Sequence, residues 1–146
     1  MGQPINKKIK NAEVLVIEGI RFRSKLEYRV YKYLKETLNI PILYEVETIN
    51  LVPSFVPSVC FISNLVSNPQ SKVRSITYTP DFTFEYKGKF IYLECKGFEN
   101  DTYPIKRKLF RKYLESRKDK DNIIFCEIRN IRECNQLINK LNEITV

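Results

Sequence analysis

Two runs of alternating side chains, Ile76–Tyr86 and Lys89–Lys96, flank the dipeptide Lys87-Gly88, and this pattern constrains the chain more than any other. Strands that close together must pair antiparallel, and a glycine in so short a loop supplies the positive φ that tight hairpin turns demand. With a two-residue loop, Tyr86 faces Lys89 and the rest of the register follows. Phe82 then meets Leu93, Phe84 meets Ile91 and Pro80 meets Cys95, which makes one apolar face. The other face sets Thr79 against Lys96, Asp81 against Glu94, Thr83 against Tyr92 and Glu85 against Phe90. A four-residue loop closed by Glu85 and Phe90 preserves this pairing, whereas a three-residue loop shifts it by one and parts the carboxylates.

The remaining elements arrange themselves around that hairpin. Ser24-Lys25-Leu26-Glu27 fits a capping box, and Leu26, Val30, Tyr33, Leu34 and Leu38 recur at helical spacing up to Asn39, before Pro41. Ile42–Leu51 reads as a strand. Pro53–Ser75 reads as a long loop or insertion, with the apolar stretch Val59-Cys60-Phe61-Ile62 inside it. Pro104 suits the first position of a helix reaching about Arg117, with an apolar stripe of Ile105, Leu109, Tyr113 and Leu114. Asn122–Ile128 is an apolar strand, and Ile131, Cys134, Leu137, Ile138, Leu141 and Ile144 mark an amphipathic C-terminal helix. Upstream, Glu13–Ile20 forms a short strand or arm, so Met1–Ile20 is expected to be a basic N-terminal arm. The order is helix, three strands, helix, strand, helix. A chain of 146 residues with this order is expected to be one α/β domain with a single core.

Composition narrows the chemistry. The chain has no histidine, which excludes imidazole bases and histidine–metal sites, so carboxylates and lysines must carry any acid–base work. Its four cysteines lack C-x-x-C spacing and read as reduced, mostly buried residues. A net charge of +8 favours a polyanionic partner, because phosphate contacts release counterions; nucleic acid leads that class. No run is apolar enough to span a membrane, and the polar start lacks a signal-like segment, so the cytoplasm is the expected location.

The opposed carboxylates are the chemical focus. Asp81 and Glu94 side by side repel one another, and a hard divalent cation offsets the repulsion, since Mg²⁺ takes oxygen ligands from one or two carboxylates. Lys96 lies one pleat along on the same face, placed to orient a water or to stabilise charge on a phosphate. Glu27 has two readings: it closes the capping box on the Ser24 N–H, or it points from its helix toward the sheet as a fourth site residue. On the second helix, Lys106, Lys108 and Arg111 are candidate phosphate contacts, against the alternative of a solvated face. Phe82, Phe84 and Phe110 read as core.

With these residues placed, the chain resembles the PD-(D/E)XK nuclease superfamily, whose αβββαβ core matches this order and whose motif appears as Pro80-Asp81 with Glu94-Cys95-Lys96. Phe22–Glu27, Thr77–Phe82 and Ile91–Gly97 are similar to segments of phage endonuclease I-type Holliday junction resolvases, and Tyr103–Phe110 to a broader family of phage-encoded nucleases. The likeness spans Arg21 to Tyr113 and omits the C-terminal strand and helix. It implies a restriction-endonuclease-like mixed sheet flanked by helices, plus the C-terminal helix. It implies DNA hydrolysis with Mg²⁺, for which Mn²⁺ substitutes. Asp81 and Glu94 would be metal ligands, with the Cys95 backbone carbonyl as another; Lys96 would stand near the nucleophilic water, and Glu27 would contribute from the first helix. Resolvases of this kind are homodimers. The function expected is therefore a metal-dependent endodeoxyribonuclease selecting Holliday junctions or other branched DNA in phage recombination, replication or repair. The rivals are a sequence- or damage-directed nuclease of restriction or repair type, and a catalytically silent DNA-binding module.

Overall fold

A computed structural model describes residues 15–65 and 71–144; most of the basic arm expected at the N-terminus lies outside them. The described chain begins with a small hairpin, β1 (Leu15–Ile17) and β2 (Ile20–Phe22), turned at Glu18 and Gly19, both at positive φ. Helix α1 (Lys25–Leu38) follows. Its N-cap is Ser24, whose hydroxyl accepts from the Glu27 N–H, and it stops at Asn39 in the left-handed conformation.

The strand expected over 42–51 is two strands in different sheets: β3 (Leu43–Tyr44) and β4 (Ile49–Val52). Glu45, at φ +48°, redirects the chain between them. The run over 76–86 is likewise divided, into β5 (Ile76–Tyr78) and β6 (Phe82–Tyr86). Pro80 lies in the gap and cannot donate to a ladder. β7 (Lys89–Cys95), α2 (Tyr103–Glu115), β8 (Ile123–Ile128) and α3 (Ile131–Ile144) complete the order close to expectation.

The central sheet runs β3-β6-β7-β8 and is mixed: β6 is antiparallel to β3 and to β7, while β7 and β8 are parallel with α2 as the crossover. The architecture is α/β with an αβββαβ core, into which the antiparallel pair β4-β5 is inserted as a separate two-stranded sheet, and α3 follows. The hairpin register is the one a two-residue loop dictates, Tyr86 with Lys89 through Phe82 with Leu93. Lys87 and Gly88 both have positive φ, as a type I′ turn requires.

Both faces of the sheet are covered. Phe82, Phe84, Ile91, Leu93 and Cys95 form a core with Val30 and Leu34 of α1 and Cys134, Ile138 and Leu141 of α3. On the opposite face Tyr92 packs with Phe110 and Leu114 of α2 and with Ile49 and Tyr78 of the inserted pair. The α2 stripe therefore differs from expectation. Tyr103, Phe110 and Leu114 are buried, whereas Ile105 is exposed and Leu109 only partly covered. Of the cysteines, three are buried and Cys60 is exposed, and none is in a disulfide. Among the described residues no helix is long and apolar enough to cross a membrane.

Candidate active site

The ladder between β6 and β7 ends at Phe82–Leu93, and the site is built just beyond that end. Asp81, one residue outside the ladder, accepts the Cys95 N–H at Oδ2 (2.7 Å), so its carboxylate replaces the backbone acceptor that a continued β6 would have offered. Its own carbonyl accepts from the Glu45 N–H. Asp81 is thereby fixed between β3 and β7. Glu94 comes from the most deeply buried strand, and both of its oxygens have partners: Oε1 is 2.6 Å from Lys96 Nζ, and Oε2 accepts from the Tyr78 hydroxyl. The Lys96 ammonium also sits over the Tyr103 ring, 3.7 Å from its centroid.

Glu27 reaches the same place from α1. Its Oε2 accepts from the Arg23 N–H (3.0 Å) and the Tyr44 hydroxyl (2.6 Å), rather than from the Ser24 N–H that a capping box would use. The Ser24 hydroxyl still caps the helix, so Glu27 is held both by its own helix end and by β3. Asp81, Glu94, Cys95, Lys96 and Glu27 all line one cavity of about 360 Å³, together with Arg23, Glu45, Tyr78, Tyr103 and Lys106. The α1 helix packs on the opposite face of the sheet from α2, so the cavity lies at the end of the sheet, between the faces. A larger hollow of about 580 Å³ lies between α2 and β8. Its acids are already paired with cations, Glu127 with Arg107 and Glu115 with Lys120.

Electrostatics single out the smaller cavity. Burial, then the neighbouring Glu94 charge, hold Asp81 well above the ordinary carboxylate range, although the Cys95 N–H pulls it partway back. Glu94 is also raised by burial, against the lowering influence of Lys96 and Tyr78. On β8, Glu127 stands level with Glu94 in the parallel register and adds to the crowding. Arg107 and the Tyr103 hydroxyl take up the Glu127 carboxylate. Burial raises Glu45 as well, opposed by Arg23 at 3.0 Å. Two buried carboxylates that resist ionisation beside one another favour a shared cation. The donors are hard oxygens, and Asp81 Oδ2 and both Glu94 oxygens keep lone pairs beyond the one partner each has. Among the described residues no cluster of three Asp, Glu, His or Cys side chains stands ready for a metal. A Mg²⁺ ion held by two carboxylates, with water and phosphate completing its shell, fits such a donor set.

The three candidate phosphate contacts occupy different places on α2. Lys106 lines the cavity, Lys108 is exposed on α2, and Arg111 borders the larger hollow. Tyr44, Tyr78 and Tyr103 escaped the sequence reading because phenols in strands and at helix starts look like core. Only Tyr78 offered a local pointer, three residues before Asp81; Tyr44 lies seventeen residues beyond Glu27 and Tyr103 seven beyond Lys96.

The model of one protein family, described as "Protein of unknown function (DUF1064)", matches residues 7–128 of the chain, a span that includes every element of the cavity. No curated protein matches the chain.

Proposed function

The chain belongs to the DUF1064 family, whose description assigns no activity, and from its own side chains we propose a metal-dependent endodeoxyribonuclease that hydrolyses DNA phosphodiester bonds. The observation that carries this reading is the convergence of Asp81, Glu94 and Lys96 on one cavity at the end of the sheet. The charge of +8 and the histidine-free composition support it by favouring a polyanion and excluding imidazole chemistry. The resemblance to PD-(D/E)XK nucleases, carried by the same residues and by the segments around them, supports it too.

Asp81 and Glu94 are the residues that would hold Mg²⁺ or Mn²⁺, with the Cys95 carbonyl beside them. Such an ion, when bound, polarises the phosphate and makes a bound water more acidic. The protein supplies the rest. Lys96, held between Glu94 and the Tyr103 ring, brings one positive charge to where negative charge develops on the phosphate. Tyr78 and Lys96 fix the orientation of Glu94, and the Cys95 N–H fixes Asp81. Arg23 and Lys106 border the cavity and suit the flanking phosphates. The substrate we favour is branched DNA in phage or mobile-element recombination, replication or repair, on the strength of the resolvase-like segments.

A Mg²⁺ titration on linear, nicked, flapped and four-way DNA tests the reading. Metal-dependent scission, fastest on flapped or four-way DNA, is expected. Binding without scission in any metal would leave a silent DNA-binding module instead, and equal cutting of all four substrates would remove the preference for branches.

A further inference from the structure

Among the described residues, the segment inserted between β4 and β5 gathers exposed apolar side chains. Val59, Ile62 and Leu65 are 78%, 88% and 96% exposed, and Phe55, Val56, Phe61 and Val73 are exposed around them. A Phe55–Val73 bridge continues the strand pair outward, and Val56 to Leu65 follow beyond that bridge. From Pro53 to Ile76 there is no Asp or Glu, while Lys72 and Arg74 are exposed cations. At the other end of β5, Thr77, Tyr78 and Thr79 line the cavity that holds Asp81 and Glu94. One ribbon thus carries a cavity wall at its base and an apolar, cationic surface beyond it.

We propose that this ribbon is a DNA-contacting arm, whose exposed apolar side chains around Ile62 and Leu65 pack against unstacked bases of branched or kinked DNA while Lys72 and Arg74 hold the adjoining phosphates. The inference rests on the nuclease reading and deepens it by naming what selects the substrate. Charge decides between the occupants. A second copy of this chain would bring a +8 surface against an arm that has cations and no acids, whereas DNA offers phosphates to the cations and base faces to the apolar groups. Apolar wedges that enter a base step cost unstacking energy, and that cost is least where a branch has already parted the bases.

Cys60 lies within the arm and is exposed, while Cys95, Cys126 and Cys134 are buried, so thiol alkylation reads the arm selectively. The full chain is alkylated in metal-free buffer with and without four-way or linear DNA, and binding is measured for wild type and for Ile62→Ser/Leu65→Ser. Both replaced side chains are almost fully exposed, so the fold should be unaffected, which circular dichroism checks. Four-way DNA is expected to slow alkylation about tenfold and linear DNA much less, and the double variant to bind four-way DNA about tenfold more weakly, as for the loss of a stacking contact. The salt slope should not change, because no phosphate contact is removed. Unprotected Cys60 in a protein that still binds and cuts DNA overturns the arm and leaves the nuclease standing. Protection that rises with protein concentration alone, with dimers in light scattering, makes the ribbon a self-interface and overturns the proposal. A chain that neither binds nor cuts DNA overturns both.

Discussion

Replacing Tyr78 with phenylalanine removes one oxygen from the buried shell of the site and nothing else. The Tyr78 ring is 5% exposed and packs against Phe110 at 4.6 Å, so Tyr78→Phe keeps the packing and opens no cavity. What is lost is the hydroxyl that donates to Glu94 Oε2, leaving Lys96 as the partner that holds the carboxylate. A hydrogen bond to a charged group contributes about 1.5–3 kcal/mol, and one to a neutral group about 0.5–1.5 kcal/mol. Tyr78→Phe should therefore lower the unfolding free energy by about 1.5–3 kcal/mol in the wild-type background, and by about 0.5–1.5 kcal/mol when Glu94→Gln is already present. Urea unfolding of the four proteins at pH 8 in metal-free buffer measures both legs of the cycle. The same variant should weaken apparent Mg²⁺ affinity or cleavage by about 10–100-fold, the usual effect of freeing a ligand from its outer partner. Equal stability losses in the two backgrounds would show that Glu94 carries no charge there. No loss in either would show that the phenol does not hold it.

Lys96→Ala should reduce turnover with little change in KM, since Lys96 is assigned to charge that develops on the phosphate; weaker binding at unchanged turnover would reduce it to a phosphate contact. Lys106→Ala should lower the slope of log affinity for DNA against log salt by about 0.9, the value for one phosphate contact, and an unaltered slope would return that side chain to the solvent. Ser24→Ala removes the hydroxyl that caps α1 and should cost about 1 kcal/mol, or about 2–4 °C in Tm. A Tm within experimental error of wild type would mean that the cap contributes nothing.

The site's strands were legible because their signals are local. Lys87-Gly88 can adopt the two positive φ values of a tight turn, and the alternation on either side leaves one register. That register runs as far as Phe82–Leu93; the expected pairs of Asp81 with Glu94, Pro80 with Cys95 and Thr79 with Lys96 are not part of the ladder, and Asp81 instead turns its carboxylate to the Cys95 N–H. Glu27 was half legible, since Ser24 announces the helix start but not that Tyr44, seventeen residues on, supplies the second donor. What escaped depends on residues distant in sequence. Nothing local says that Glu45 will adopt a positive φ and send β3 and β4 into different sheets. Pro80 was read as part of a motif, although it also ends the ladder and so frees the Cys95 N–H for Asp81. Of the stripe expected on α2, Leu114 is buried while Ile105 is exposed and Leu109 and Tyr113 are only partly covered; Phe110 is core as expected, and Tyr103 completes the face that meets the sheet. The tyrosines that orient Glu27, Glu94 and Lys96 were hidden because a phenol is both core and hydrogen-bond donor.

The central claim is that Asp81 and Glu94 together serve a metal that cuts DNA, and it is tested most directly by cleavage of a four-way junction as Mg²⁺ is titrated into wild type, Asp81→Asn and Glu94→Gln. Both variants keep the side-chain volume and an amide oxygen that can accept from the Cys95 N–H or the Lys96 ammonium, which also keeps the Tyr103 ring, so folding by circular dichroism and DNA binding in metal-free buffer should survive. Wild type should cut in proportion to metal occupancy and not at all in chelator, while each variant should be inactive at every Mg²⁺ concentration. Cutting in chelator, or either variant cutting near the wild-type rate, would contradict the claim.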